Sequence, residues 1–417
     1  MQVANKLERR ALPIMLFTIF LDSLGFGILF PILPQLIFSI FQPLGYSHNA
    51  SLILLGWLTG IFPLMQFLAT PILGQLSDRF GRKPILGFSL AGTAIGHILF
   101  ATGIILRNVP LIFFARAFDG LTGGNISVAR AVIADTSTPE HRTRNFGLIG
   151  AAFGMGFIMG PYLGARLSDA HASFFGLFQS PLWFGIATPF WFAAILGVIN
   201  TSLLLFLLPE TNKFIDRQAK LVWTKAIYNI RKAASVPGLN VIFSAEFLFF
   251  GGFTFFTAFL PVQLIQVHHF TPGNVGDFFA FIGICIFLAQ GLLIPFVAKR
   301  LKNSQVVRFA LFGMAGALLM QLLPNNTIEI MLVGAIIACF HALFTTNSIS
   351  LVSTTADAKT QGETLGIEAS VQALAQAIPA LIAGYTATIG ISTPIMVGSG
   401  VVFSGALIFL VFYRSTK

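Results

Sequence analysis

The chain has 417 residues, of which 55% are hydrophobic and only 10% charged, and its mean hydropathy is +0.83. Soluble domains are about a quarter charged, so this composition excludes a soluble enzyme with a single anchor and leaves no room for a large extramembrane domain. The net charge of +10 does not indicate nucleic-acid binding, because most of the 25 Lys and Arg fall in the termini and alternate loops, the distribution that orients a membrane protein.

Apolar runs follow at 12–41, 50–76, 83–106, 108–135, 145–168 and 183–208, and then at 240–267, 273–297, 305–323, 328–355, 363–388 and 392–413. Each is about the 20 residues or more that a bilayer span requires. Twelve spans put both termini on one side. The loops holding Arg79, Arg82, Lys83, Arg142, Arg144, Lys299, Arg300 and Lys302 make that side the cytoplasm of an inner or plasma membrane. The run after Arg9 and Arg10 is a full span without a small-residue cleavage pattern, so no cleavable signal is expected.

In the first span Asp22 lies about ten residues deep, or about 15 Å at 1.5 Å per residue, near the middle of a bilayer core. A carboxyl there is either a proton carrier or a packing group bonded to hydroxyls and backbone. Gln66 follows in the second span. The loop after it reads Gly74-Gln75-Leu76-Ser77-Asp78-Arg79-Phe80-Gly81-Arg82-Lys83. Gly74 permits close helix approach and Gly81 a tight turn, while Asp78 sits beside three cations. Asp78 is expected to accept hydrogen bonds from a neighbouring helix N-terminus as a conformational latch, against the simpler role of holding the loop inside. His97, in the third span, is expected to pack peripherally.

Arg116, Gly120 and Gly124 share one face of the fourth span with Asn125 close by. Arg116 either sets the protonation of a cavity carboxylate or pairs structurally with Asp119. In the fifth span Gly156, Gly160, Pro161 and Gly164 combine close-packing positions with a missing backbone donor, so the span can bend. The aromatic stretch 169–190 is expected in the interface plane. The basic connection 209–239, with Lys213, Arg217, Lys220, Lys225, Arg231 and Lys232, is expected to be a linker with an amphipathic helix on anionic lipid, or a regulatory segment.

Beyond it, Glu246 and Glu368 lie within the seventh and eleventh spans and could exchange protons, bind cationic cargo or snorkel to water. Gln263, His341, Asn347, Gln372 and Gln376 complete the candidate polar groups among 46 Phe, a lining suited to amphipathic organic molecules. Cys285 and Cys339 sit in apolar stretches and suggest neither a disulfide nor a metal site. No phosphate loop, nucleophile motif or metal cluster is evident, so no enzyme activity, cofactor or metal is expected.

The halves echo each other. Phe20-Leu21, Gly25-Phe26 and Leu33-Pro34 match Phe247-Leu248, Gly252-Phe253 and Leu260-Pro261, and Leu121, Asn125 and Ala134-Asp135 match Leu343, Asn347 and Ala356-Asp357. Two repeats with a midplane site between them are the organisation of a secondary transporter. The expected fold is all-α and polytopic, with twelve transmembrane helices in two pseudo-symmetric six-helix bundles, 1–208 and 240–417, joined by the linker.

The loop from Gly74 to Lys83 fills every signature position of the major facilitator superfamily, which the chain therefore resembles. Arg116, Gly120 and Gly124 fit that family's fourth-helix pattern. The glycines around Pro161 fit its antiporter motif, although the final Gly of the motif is Ala165 here. Leu21 to Gly27, Met65-Gln66-Phe67, Ile133-Ala134-Asp135-Thr136 and Leu208-Pro209-Glu210 resemble the drug:proton antiporters with twelve spans, in their tetracycline efflux branch. Two departures stand out. That branch carries an Asp in its third helix where this chain has Gly96-His97, and another in its ninth helix where residues 305–323 have none.

The resemblance implies proton-coupled export of a small amphipathic molecule or drug by alternating access. It makes Asp22, Arg116, Glu246 and Glu368 the coupling residues, adds Asp135 to the Asp78 latch and places His341 in a cavity-lining span. The expected partners are a small-molecule substrate, protons and the lipid bilayer, with no nucleic acid, and a monomer is expected. A same-fold transporter of one metabolite such as a siderophore, import included, remains open, as does a transport-inactive receptor or assembly partner.

Overall fold

The computed structural model describes residues 2–137, 139–170, 173–174, 178–179, 181–212, 215–218, 221–236, 238–355 and 361–413. In chain order the helices are α1 (Gln2–Ile28), α2 (Leu33–Leu36), α3 (His48–Phe80), α4 (Arg82–Ile105), α5 (Val109–Thr122), α6 (Ile126–Thr136), α7 (Pro139–Leu167) and α8 (Thr188–Leu207). After them come α9 (Lys225–Ser235), α10 (Leu239–Gln266), α11 (Pro272–Leu288), α12 (Ile294–Ala298), α13 (Asn303–Met320), α14 (Thr327–Thr355), α15 (Gln361–Ala387) and α16 (Thr393–Phe412). Helix dominates because hydrocarbon offers no partner to a backbone N–H or C=O, so each segment must satisfy its own.

Among the described residues, ten helical stretches are long and apolar enough to cross a bilayer. The two remaining sequence runs show why they differ. The run 305–323 is an 18-residue helix that begins among Asn303, Gln305 and Arg308. The run 108–135 is broken at Gly123-Gly124-Asn125 into helices of 14 and 11 residues. The eighth span is interrupted by a π-turn at Ala289–Leu293, and the first ends at Ile28, ahead of Pro31.

The chain divides into two compact units, Met1–Ile32 with Met65–Ala226, and Leu33–Leu64 with Ile227–Lys417. In the first, Met15, Ile19, Leu73, Leu90, Val132 and Leu204 belong to one buried apolar cluster. Helices α1 and α7 pack along small residues, so that a Cβ at Gly160 would lie 2.6 Å from the Leu24 carbonyl oxygen. In the second unit α10 packs on α14, α15 and α16, and α13 on α14. There the stretch of α3 before Met65 meets α15, where a Cβ at Gly56 would lie 2.7 Å from the Gly384 nitrogen, and Trp57 Nε1 donates to Tyr385 Oη at 3.2 Å.

Within 169–190, Ser173–Phe174 and Phe178–Gln179 pair as a two-stranded antiparallel hairpin. In the linker, α9 buries Ala233 and Asn229, whose Nδ2 donates to Ser370 Oγ at 3.0 Å, and leaves Ile227 and Tyr228 exposed. Lys213, Lys220 and the repeat residues Ala356-Asp357 lie outside the described residues.

Candidate functional site

The break in the fourth span organises the polar centre of the first unit. Gly123 and Gly124 end α5. Gln66 of α3 donates to the freed Gly123 carbonyl at 2.8 Å, and Ser89 Oγ donates to that of Thr122. Gly124 allows the bent chain to lie against α3, since a Cβ there would sit 2.9 Å from Thr70 Cα. The residue just before α6, Asn125, is buried, and its Nδ2 donates to Asp22 Oδ2 of α1 at 2.7 Å. An interrupted helix at this depth holds a polar group where a continuous one would present only side chains.

About two turns before the break, Arg116 Nη1 lies 3.5 Å from Asp119 Oδ2, with both side chains buried. Desolvating two charges is tolerated only because they are paired. Asp119 fits because position 96 has no side chain: a Cβ at Gly96 would lie 2.9 Å from that of Asp119. Asp119 Oδ1 has no hydrogen-bond partner among the described residues.

His97 differs from expectation. It is buried, with its ring against Gly25, one turn along α1 from Asp22. The charges of Asp119 and Arg116 act on His97, and that of Asp119 acts on Asp22. Asp22, Thr93, His97 and Asn200 line one small cavity with Leu21 and Leu24. Asp22, His97, Arg116, Asp119 and Asn125 thus form one connected polar cluster in apolar surroundings.

The loop between α3 and α4 is tied from several sides. Arg82 bridges two carboxylates, Nη1 to Asp78 Oδ1 at 2.6 Å and Nε to Asp135 Oδ2 at 3.1 Å, and Nη1 also donates to Ser77 Oγ at 2.6 Å. The turn needs Gly81, whose φ is +101°. Asp78, expected to accept from a helix N-terminus, pairs with Arg82 instead, and Glu210 takes the helix. The Glu210 carboxylate accepts from the backbone N–H of Arg82 at 2.9 Å and Lys83 at 3.1 Å, which open α4, and from those of Thr211 and Asn212. Asn212 Nδ2 donates to the Asp78 carbonyl at 3.2 Å, and Gln75 exchanges two hydrogen bonds with the backbone of Val222. Arg79 stacks over Phe80, and Gly74 faces Ser127. The start of the linker therefore lies along the loop.

Gly156, Gly160 and Gly164 face the α1 carbonyls of Phe20, Leu24 and Ile28, and Pro161 touches Gly27. In the second unit Glu246 is fully buried and accepts from Ser348 Oγ at 2.6 Å, and the buried Glu368 accepts from Gln372 Nε2 at 3.2 Å. His341 lies among the rings of Phe249, Phe250 and Phe253. Asn347 donates to the Leu343 carbonyl of its own helix and Gln263 to Ser392, while Gln376 is half-buried. The structure therefore groups the candidates into a cluster around Asp22, a tied loop at Asp78 and two buried carboxyl groups, Glu246 and Glu368, in the second unit. Glu210, Ser348 and the central place of His97 were missed. For Glu210 a signal existed, since Leu208-Pro209-Glu210 stands out at the end of the sixth span.

Residues 15–367 match the sequence model of the Major Facilitator Superfamily. The class C tetracycline resistance protein of Escherichia coli is 30% identical over 305 residues, 72% of this chain and 70% of that protein. The class E protein of Escherichia coli is 32% identical over 303 residues, 72% and 68% of the two chains. The crystal structure of the human organic anion transporter MFSD10 (TETRAN) superposes with a TM-score of 0.72 at 24% identity, covering 96% of this chain and 99% of that one.

Proposed function

The chain belongs to the Major Facilitator Superfamily and is a multi-pass membrane transporter of small molecules, not an enzyme; on that premise we propose that it exports a small amphipathic organic molecule in exchange for protons. The carrying observation is the Asp22 carboxyl, held by Asn125 at the break in the fourth span and within electrostatic reach of Asp119. A carboxyl in that position can take up a proton when its surroundings are dry and release it when the cavity wets. Arg116, already neutralised by Asp119, supplies a field and not a free cation. Resemblance to the tetracycline resistance proteins supports the outward direction, and the glycines between α1 and α7 support a bundle that rocks without losing its packing.

The protein would sit in the inner membrane with both termini in the cytoplasm, one six-helix half on each side of the linker, and work as a monomer. Arg82, between Asp78 and Asp135, would hold one state of an alternating-access cycle.

The test is transport in proteoliposomes under an imposed pH gradient, with tetracycline and a fluorescent amphipathic cation as probes. Asp22→Asn should abolish pH-driven movement while probe-induced thermal stabilisation persists, since the pocket remains. Undiminished pH-driven transport by that variant would remove Asp22 from the coupling mechanism.

A further inference from the structure

The first-unit cluster contains its own cation, Arg116. The second unit buries two carboxyl groups in very different company. Glu246 of α10 has no exposed surface, and its Oε2 has no hydrogen-bond partner among the described residues. Its Oε1 accepts from Ser348 of α14 at 2.6 Å. Glu368 of α15 is 5% exposed, and its charge acts on Glu246. Their helices pack on each other: a Cβ at Gly251, about one and a half turns beyond Glu246, would lie 3.7 Å from the carbonyl oxygen of Ala375, about two turns beyond Glu368.

The helices packed against α10 are α2, α11, α14, α15 and α16, and none of these, nor α10 itself, contains a Lys or an Arg. Their other titratable groups are Asp277 and Cys285 on α11, Glu329, Cys339 and His341 on α14, and Glu363 and Tyr385 on α15. The stretch of α3 beside α15 adds His48, and α9, bonded to Ser370, carries Lys225, Arg231 and Lys232, of which Lys232 lies over the Tyr228 ring. Asp357 and Lys359 lie outside the described residues.

Two dry carboxylates that act on each other, one with a bare oxygen, are far too costly to hold two negative charges. We propose that Glu246 and Glu368 form a single proton-binding site in the second unit that shares one proton between the two carboxyl groups, separate from the site at Asp22. The occupant is a proton: the donors given to the two carboxyls, Ser348 Oγ and Gln372 Nε2, are neutral, and a proton neutralises a buried charge without the ordered shell of oxygens that a metal cation needs. Within the proton-exchange reading, on which its role in transport rests, the cycle would then carry protons at two places. A pair that shares a proton titrates as one unit, so a change in either member is felt by the other.

The experiment reads proton binding and needs no cargo. Infrared difference spectra of the purified full-length protein, recorded against pH in water and in heavy water, report the carbonyl stretch of protonated carboxylic acids. Proton uptake is counted in parallel with a pH indicator. Wild type and Asp22→Asn should both show a deuterium-sensitive band that E246Q/E368Q loses, and the double variant should bind one proton fewer per molecule. Each single variant, E246Q or E368Q, should shift the pH midpoint of the remaining band, which keeps the test available if the double variant is unstable. Survival of the band in the double variant, unmoved midpoints in both single variants, a difference of two protons, or removal of the band by sodium at constant pH would each overturn the proposal. Loss of pH-driven transport in Asp22→Asn with this band intact would support exchange at Asp22 independently. A band present in a protein that moves nothing would sink the transport reading and leave the proton site standing.

Discussion

Arg116 is the residue whose chemistry is most open to measurement. It and Asp119 are both buried and 3.5 Å apart, so removing either leaves an uncompensated charge in a dry place. Arg116→Ala should cost about 3 kcal/mol or more of stability, measured as a fall in apparent melting temperature. Arg116→Ala/Asp119→Ala should recover most of that stability, because no lone charge remains. Transport separates the two roles. If the pair is only structural, the double variant recovers activity with stability; if the field of Arg116 matters to Asp22 and His97, it folds but does not couple. Arg116→Lys keeps the charge without the planar fork and should retain some transport with a displaced pH optimum. The sequence already named Arg116, Asp119 and Asp22. It did not reveal that His97 joins them, because a lone histidine in an apolar helix carries no sign of which way it faces.

At the scale of the element, the fourth span shows how a break becomes functional. Its total length and apolar content suggest one continuous crossing. Gly123, Gly124 and Asn125 interrupt it, and the carbonyl groups freed there are met by Gln66 and Ser89. Close packing of α1 on α7 depends on bare glycine faces. Gly160→Val would drive a branched side chain toward the Leu24 carbonyl, which a Cβ alone would approach to 2.6 Å. The expected cost is about 1–3 kcal/mol of overpacking, seen as a lower melting temperature, with transport reduced further than stability accounts for because the same contact must persist through the cycle. A substitution at Gly150, whose Cβ would meet nothing within 4 Å, is the matched control and should be nearly silent.

For the whole molecule, the decisive prediction concerns the loop tied by Arg82. Asp78→Asn removes one of the two carboxylates that Arg82 bridges and should move the population toward the cytoplasm-open state, read by paired spin labels across the cytoplasmic ends of the two halves. Unchanged distances would make the loop a topological device only. The apolar helical runs in chain order, the glycine-rich fifth span and the superfamily loop were legible in the sequence, since length, hydropathy and turn chemistry are properties of neighbours along the chain. Asp22 with Asn125, Glu210 on the first turn of α4, and Glu246 with Ser348 were decided only by tertiary structure. The partner of a buried polar atom depends on the rotation and depth of each helix, and these are set by packing against residues far away in the chain.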